Sequence, residues 1–568
     1  MKQSLERNNQ NTEINYHCYY TPSTATIVQH IITYLKIGLI KPGSIELSQF
    51  TLRISRNFGK NIFVLSCILK TFSLMGAQAS RNEPIGQKLR ERVPEIPAEL
   101  RSSNFRFENL VLEGGGCKTY AYLGGLKVLE ELGILKRMRR FAGTSGGAVI
   151  CMLLAIGYDV RGLYDFFAVD LAKISADAFF GYLSIIPNLL RYFGWHTGKR
   201  VHERIKEHIA RKCNGNGDIT FRELYESRRI ELCICVSNVT RLSVEFCHPK
   251  TTPDMKIIDA IKMTMALPGF YQPVRYSRDG RDNFYVDGGM LCNYPVAAFD
   301  GWYLSMDHKD AFLHKLGGDE EPFGKFNHLT LGMLVYATED SEVLRTELHR
   351  RYDNCNIQRP NTELARERQE ECDRKLEMLK QRAKLALAAK SFWLALEKND
   401  FDRDGEITIP EFKRAVRMCP REDLMTLFDK DFSRGEHFEK LNAMAKDRPL
   451  TYQDFVHFLD NKGIQFREIM EGSDFCRQLS SLSGFGKAIW DTMSMTVKKL
   501  TLKPHDSERT IGVHTDYVQT TDFEITDEDR EYIVKKAEYA TIAFLELHRQ
   551  KNPKSRGLLL RTSRVPTI

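Results

Sequence analysis

Residues 141–148 read Phe141-Ala142-Gly143-Thr144-Ser145-Gly146-Gly147-Ala148. A strand-like run, residues 137–142, enters the glycines, and an apolar helix-like run leaves them from Ala148. Gly143-x-Ser145-x-Gly147 has the form of a nucleophile elbow. Such a strand-to-helix turn strains the backbone, lifts the serine hydroxyl out and leaves no room for a Cβ on either flank. By itself the pattern is equally a plain Gly-rich turn. Its surroundings give it weight, because a second strand–glycine–helix unit precedes it: residues 109–113 run into Gly114-Gly115-Gly116, and a helix follows over 122–132. The bare N–H groups of that run can face a developing oxyanion at the positive end of the next helix, and Lys118 adds a cation. No Gly-Lys-Ser/Thr stands at P-loop spacing, and no dinucleotide fingerprint is complete.

A serine nucleophile needs a base. Asp287-Gly288-Gly289 follows the apolar Phe284-Tyr285-Val286, which places Asp287 at a strand end on a flexible turn. An aspartate there is often only a turn-former. The combination says more. GGGCK (114–118), GTSGG (143–147), MALPGFYQPV (265–274) and VDGG (286–289), in that order, resemble the patatin-like phospholipases. The resemblance covers about residues 108–345 and resumes at Arg509-Thr510-Ile511 and Thr520-Thr521-Asp522-Phe523.

It implies a three-layer α/β/α hydrolase domain using a Ser–Asp dyad without histidine. Ser145 would be the acyl-accepting nucleophile and Asp287 the general base, with Gly114, Gly115 and Gly116 as the oxyanion hole. Lys118, Gly143, Gly147, Gly288 and Gly289 would complete the motif. One position departs: Thr119 stands where the family has glycine, and a left-handed backbone there would strain the loop. A triad drawing on one of the 15 histidines is the alternative mechanism.

Downstream the texture changes. Residues 350–390 are highly charged and helix-prone, and then Asp400, Asp402, Asp404, Gly405, Glu406 and Glu411 fill positions 1, 3, 5, 6, 7 and 12 of an EF-hand loop. Alternate carboxylates converge on a hard cation, glycine permits the sharp turn, position 7 offers its carbonyl and the last glutamate closes the shell. The reading is a regulatory Ca2+ site, with no metal in the chemistry. A partner hand is expected around Asp429, Asp431 and Ser433, resuming at residues 450–455. Arg434 in place of glycine and a long insertion make it degenerate. Thr526 with Asp529 predicts a capping box opening a final helix.

Charge is uneven. The chain has 568 residues with a formal net charge of +8, but residues 1–107 hold 14 Lys and Arg against 7 Glu and no Asp. A globally basic nucleic-acid binder is therefore disfavoured. Thirteen cysteines without a CxxC pair suit free thiols in a reducing compartment rather than a disulfide framework or a zinc site. No apolar run reaches the ~20 residues of a membrane span. Residues 53–79 imitate a signal peptide but start too deep in the chain.

The expected organisation is α/β with an inserted all-α EF-hand pair. Residues 1–107 form a basic extension, 108–345 the first part of the catalytic domain and 346–385 a charged helical connector. The EF-hand pair covers 386–460, the return to the catalytic domain 461–548 and a tail 549–568. The function expected is a calcium-responsive acyl hydrolase of lipid esters, peripheral on phospholipid membranes from the cytoplasm, with organelle import left open. The alternatives are a calcium-dependent membrane-binding protein whose hydrolase has lapsed, and a triacylglycerol lipase or acyltransferase on the same dyad. The aromatic-rich residues 179–195 read either as core or acyl-pocket lining or as an interfacial lid.

Overall fold

The computed structural model describes residues 95–168, 177, 184–278, 280–315, 317–340, 342–345, 348, 351, 357–428, 449–462 and 482–552. Its strands are β1 (Asn109–Leu112), β2 (Arg140–Gly143), β3 (Gly194–His196), β4 (Glu231–Asn238), β5 (Ser243–Cys247), β6 (Gly269–Tyr271), β7 (Val274–Arg278), β8 (Arg281–Asp287), β9 (Thr330–Ala337), β10 (Glu406–Ile407), β11 (Leu450–Thr451) and β12 (Thr510–Asp516). The helices that matter below are α1 (Tyr122–Glu131), α2 (Ser145–Ala155), α3 (Ile185–Tyr192), α4 (Ile257–Met265) and α5 (Glu363–Glu397). They continue with α6 (Ile409–Met418), α7 (Arg421–Phe428), α8 (Tyr452–Asn461), α9 (Leu482–Thr501) and α10 (Asp527–Lys551).

Eight strands form one sheet in the order β12-β9-β1-β2-β4-β8-β7, with β5 also paired to β4. From β12 to β4 the strands run parallel, while β5 and β8 pair with β4 antiparallel and β7 pairs with β8 antiparallel. Because side chains alternate along a strand, the sheet divides two cores. Leu110, Leu112, Leu232, Ile234, Leu331, Met333, Ile511 and Val513 face the larger one, with side chains of α1, α2, α4 and α10. Val111, Ala142, Cys233, Leu334 and Tyr336 face the other, which is closed by Tyr294, Val296, Phe299, Leu304 and Leu502. One layer is thus helical, and the opposite one is less regular than the expected α/β/α arrangement.

Three boundaries differ from the sequence reading. The expected extension over 1–107 is shorter, because Ile96, Leu100, Phe105 and Phe107 are buried in the larger core. The helix after the elbow begins at Ser145 rather than Ala148. The charged connector and the first helix of the acidic-loop module are one helix, α5, of 35 residues. Its first half is rooted in the main core through Ala365 and Cys372. Arg368 pairs with Asp522 at 2.6 Å and Lys375 with Glu339 at 2.8 Å, so two charges of this helix have fixed partners. Its second half carries Ala388, Phe392 and Leu396 into a separate core with Phe412, Leu427, Phe428, Phe455 and Leu459.

The chain leaves the sheet at β9 and re-enters it at β12, the strand next to β9. As the spacing predicts, Thr526 and Asp529 cap α10 reciprocally. Among the described residues no helix is long and apolar enough to cross a membrane. The signal-peptide-like residues 53–79, Phe179 to Leu183 and the expected partner loop from Asp429 to Arg434 lie outside the described residues.

Candidate active site

β2 delivers the chain into the elbow, and α2 carries it away. At the turn Ser145 has φ 51°, a left-handed backbone that a non-glycine residue adopts only when its surroundings enforce it. The packing supplies that enforcement. A Cβ on Gly147 would lie 2.5 Å from the Glu113 carbonyl oxygen, so only glycine lets α2 approach β1 this closely. The Ser145 N–H donates to Thr264 Oγ1 at 2.9 Å, and the Thr264 hydroxyl in turn donates to the Cys235 carbonyl at 2.6 Å. α4 and β4 therefore pin the nucleophile's backbone.

Asp287 ends β8, with its N–H on the Ala266 carbonyl at 2.9 Å. Its carboxylate accepts from the Gly289 N–H at 2.7 Å and lies near enough to the Ser145 side chain to be stabilised by it. Gly288 is required for this approach, because a Cβ there would lie 2.2 Å from the Cys235 carbonyl oxygen. Burial raises the Asp287 carboxyl to about 7, and the Gly289 N–H and the Ser145 side chain only partly oppose it. A base poised near neutrality suits proton abstraction. Among the described residues no histidine bonds to Ser145 or Asp287.

The glycine run lies against the elbow: a Cβ on Gly114 would stand 3.1 Å from Ser145 Cβ. The Gly114 N–H is committed to the Asn293 carbonyl at 3.1 Å, so Gly114 has no proton to offer an oxyanion. The N–H groups of Gly115 and Gly116 have no acceptor among the described residues. Lys118 also departs from expectation. Its buried ammonium pairs with Asp340 and donates to the Val335 carbonyl at 3.4 Å, which makes it a brace for the loop rather than a free cation. Thr119 is not left-handed. It sits in a 3-10 turn, its hydroxyl donating to the Gly116 carbonyl at 2.6 Å, so its side chain brings no backbone strain.

Residues 110–300 match the family model described as patatin-like phospholipase. The chain carries a patatin-like domain. The protein "Probable lipid hydrolase 463L" of Invertebrate iridescent virus 6 is 30% identical over 197 residues, 34% of this chain and 62% of that protein. A patatin-like phospholipase domain-containing protein of Yarrowia lipolytica is 29% identical over 216 residues, 36% of this chain and 25% of that protein. This chain therefore spans under two thirds of each. The crystal structure of VipD from Legionella pneumophila overlaps 83% of this chain and 72% of its own at 15% identity, with a TM-score of 0.35 that is too low to bear on the fold.

Beyond the patatin-like domain, carboxylate oxygens of Asp400, Asp402 and Asp404 lie within 4.8 Å of one another. Asp400 Oδ1 is buried without a hydrogen-bond partner. The Asp402 carboxyl is raised by lost solvation and by the Asp404 charge beside it. Gly405 turns the loop at φ 80°. The Glu406 N–H donates to Asp404 Oδ1 at 2.7 Å, and the Glu411 carboxylate closes the loop on the Thr408 N–H at 2.9 Å. Ile407 pairs antiparallel with Leu450, which ties the α5–loop–α6 unit to α7 and α8.

Thr264 and Asn293 were not legible as site residues. Thr264 directly precedes the MALPGFYQPV run, and nothing in its residue type marks it.

Proposed function

We propose that this chain is a lipid acyl hydrolase of the phospholipase A or lysophospholipase type, acting through Ser145 and Asp287 and responsive to calcium. The observation that carries the reading is a buried carboxylate, raised to about 7, set beside a serine on a strained strand-to-helix elbow. Asp287 takes the Ser145 proton as Oγ attacks the acyl carbonyl carbon, and the Gly115 and Gly116 N–H groups face the oxyanion. Collapse of the adduct expels the alcohol, which recovers the proton from Asp287 and leaves an acyl-enzyme. Asp287 then deprotonates water, the water attacks the acyl carbon, and the departing Ser145 oxygen takes the proton back. Fatty acid is released.

For calcium, the convergent carboxylates and the orphaned Asp400 oxygen fit a hard cation. Asp400, Asp402, Asp404 and Glu411 would hold it by side chain and Glu406 by its carbonyl. The ion's role is regulatory, since α5 joins its loop to the patatin-like domain as one helix. Lipid-surface contact is supported by Leu189, Leu190, Tyr192 and Phe193, exposed on and beside α3.

The test is fatty acid release from mixed phospholipid vesicles, with and without calcium, by wild type and Ser145→Ala. Release by wild type alone, altered by calcium, supports the reading. Absence of release in every condition would favour a membrane-binding protein with a lapsed hydrolase, and glyceride products in place of free acid an acyltransferase.

A further inference from the structure

Lys498 and Glu113 are 385 positions apart, yet Lys498 Nζ lies 2.7 Å from Glu113 Oε1 and pairs on its other side with Glu342. All three side chains are almost fully buried. A buried ion cluster offsets its desolvation only when each charge is well partnered; here one ammonium holds two carboxylates, and burial with the Glu342 charge raises the Glu113 carboxyl. Glu113 Oε1 also accepts from Asn293 Nδ2 at 3.1 Å, and Glu113 Oε2 from the Val335 N–H at 3.3 Å.

Glu113 is the residue immediately before the glycine run. The same Asn293 Nδ2 donates to the Gly114 carbonyl at 3.0 Å, while the Gly114 N–H donates to the Asn293 carbonyl at 3.1 Å. Gly114 is therefore gripped at both its N–H and its carbonyl by a side chain and backbone that Glu113 orients. Among the described residues the next two N–H groups, of Gly115 and Gly116, are the ones without an acceptor. One turn earlier on α9, on the face that Lys498 shares, Ser494 Oγ donates to the Gly289 carbonyl at 3.0 Å. Gly289 is the residue whose N–H holds Asp287. One helix thus touches both the oxyanion loop and the base loop.

We propose that Lys498 is a positioning residue: through Glu113 and Asn293 it sets the Gly114 peptide, and so the aim of the Gly115 and Gly116 N–H groups at the developing oxyanion. The inference rests on the hydrolase reading above. α9 is also the first described helix after the acidic-loop module, so its seat is where that insertion meets the catalytic loops.

The experiment compares wild type, Lys498→Met, Lys498→Arg and Glu342→Gln on a soluble aryl ester. Turnover is normalised to serine titrated by a fluorophosphonate, and inhibition by an alkyl trifluoromethyl ketone, which forms a tetrahedral adduct, is read alongside. Lys498→Met is expected to lose about 10²-fold in kcat per titrated serine. Its KM stays unchanged, and ketone affinity weakens in parallel because the loss falls on the transition state. Lys498→Arg regains part of that loss.

Glu342→Gln loosens the same cluster without stranding a charge. It carries a smaller loss of the same kind and decides the matter if Lys498→Met does not fold. Unchanged kcat per titrated serine in the folded variants, with only melting temperature lowered, would overturn the proposal. Absence of both labelling and turnover in wild type would instead overturn the hydrolase reading itself.

Discussion

The Thr264 hydroxyl accepts a hydrogen bond from the Ser145 N–H at 2.9 Å and passes its own proton to the Cys235 carbonyl at 2.6 Å. A residue with no reacting atom thereby fixes the strained backbone from which the nucleophile projects. Thr264→Val keeps the shape and removes the acceptor, leaving a half-buried N–H and a buried carbonyl unpaired at about 1–3 kcal/mol. The expected result is a fall in kcat of about 10-fold or more with lower resistance to urea. Steady-state kinetics and denaturant titration read both.

Asp287 links activity and stability with opposite signs. Only its carboxylate can accept the serine proton, so kcat/KM should rise with pH through about 7 and level off above it. Burial lifts the folded-state value above the ordinary 3.8, so the folded protein binds the extra proton between those two values. Its contribution to stability is intact below the lower value and is lost as pH rises through the upper one. Asp287→Asn should match wild-type melting in acid and exceed it above neutrality, with turnover down about 10²–10⁴-fold. Wild-type turnover in this variant would point to a histidine base instead.

Gly288 lets the base loop cross β4. A Cβ placed 2.2 Å from the Cys235 carbonyl oxygen meets backbone, which cannot rotate away. Gly288→Ala should cost about 1–3 kcal/mol of stability, read as a lower urea midpoint, and should abolish turnover by displacing Asp287.

The acidic loop predicts a direct calcium titration. Calorimetry should find a site that Asp402→Ala removes, since Asp400, Asp402 and Asp404 converge within 4.8 Å. Heat unchanged by that substitution would remove calcium from the account.

The elbow, the base turn and the return to the sheet were legible because each depends on local rules: glycine where a Cβ has no room, apolar strands ending in turns, a capping box. What was not legible depends on contacts distant in sequence. Lys118 looked like a free cation because Asp340, its partner, lies 222 positions away. Gly114 looked like an oxyanion donor because its acceptor Asn293 is 179 positions away. The α5 boundary was misplaced for the same reason: a charged surface pattern says nothing of Asp522 and Glu339, which give those charges partners.

The most direct test of the central claim is covalent. Wild type treated with an alkyl fluorophosphonate should gain one phosphonyl adduct, mapped by mass spectrometry to Ser145, and lose esterase activity in proportion. Ser145→Ala should gain none, and Asp287→Asn should react far more slowly. An adduct on another serine, or labelling of Asp287→Asn at the wild-type rate, would contradict the dyad.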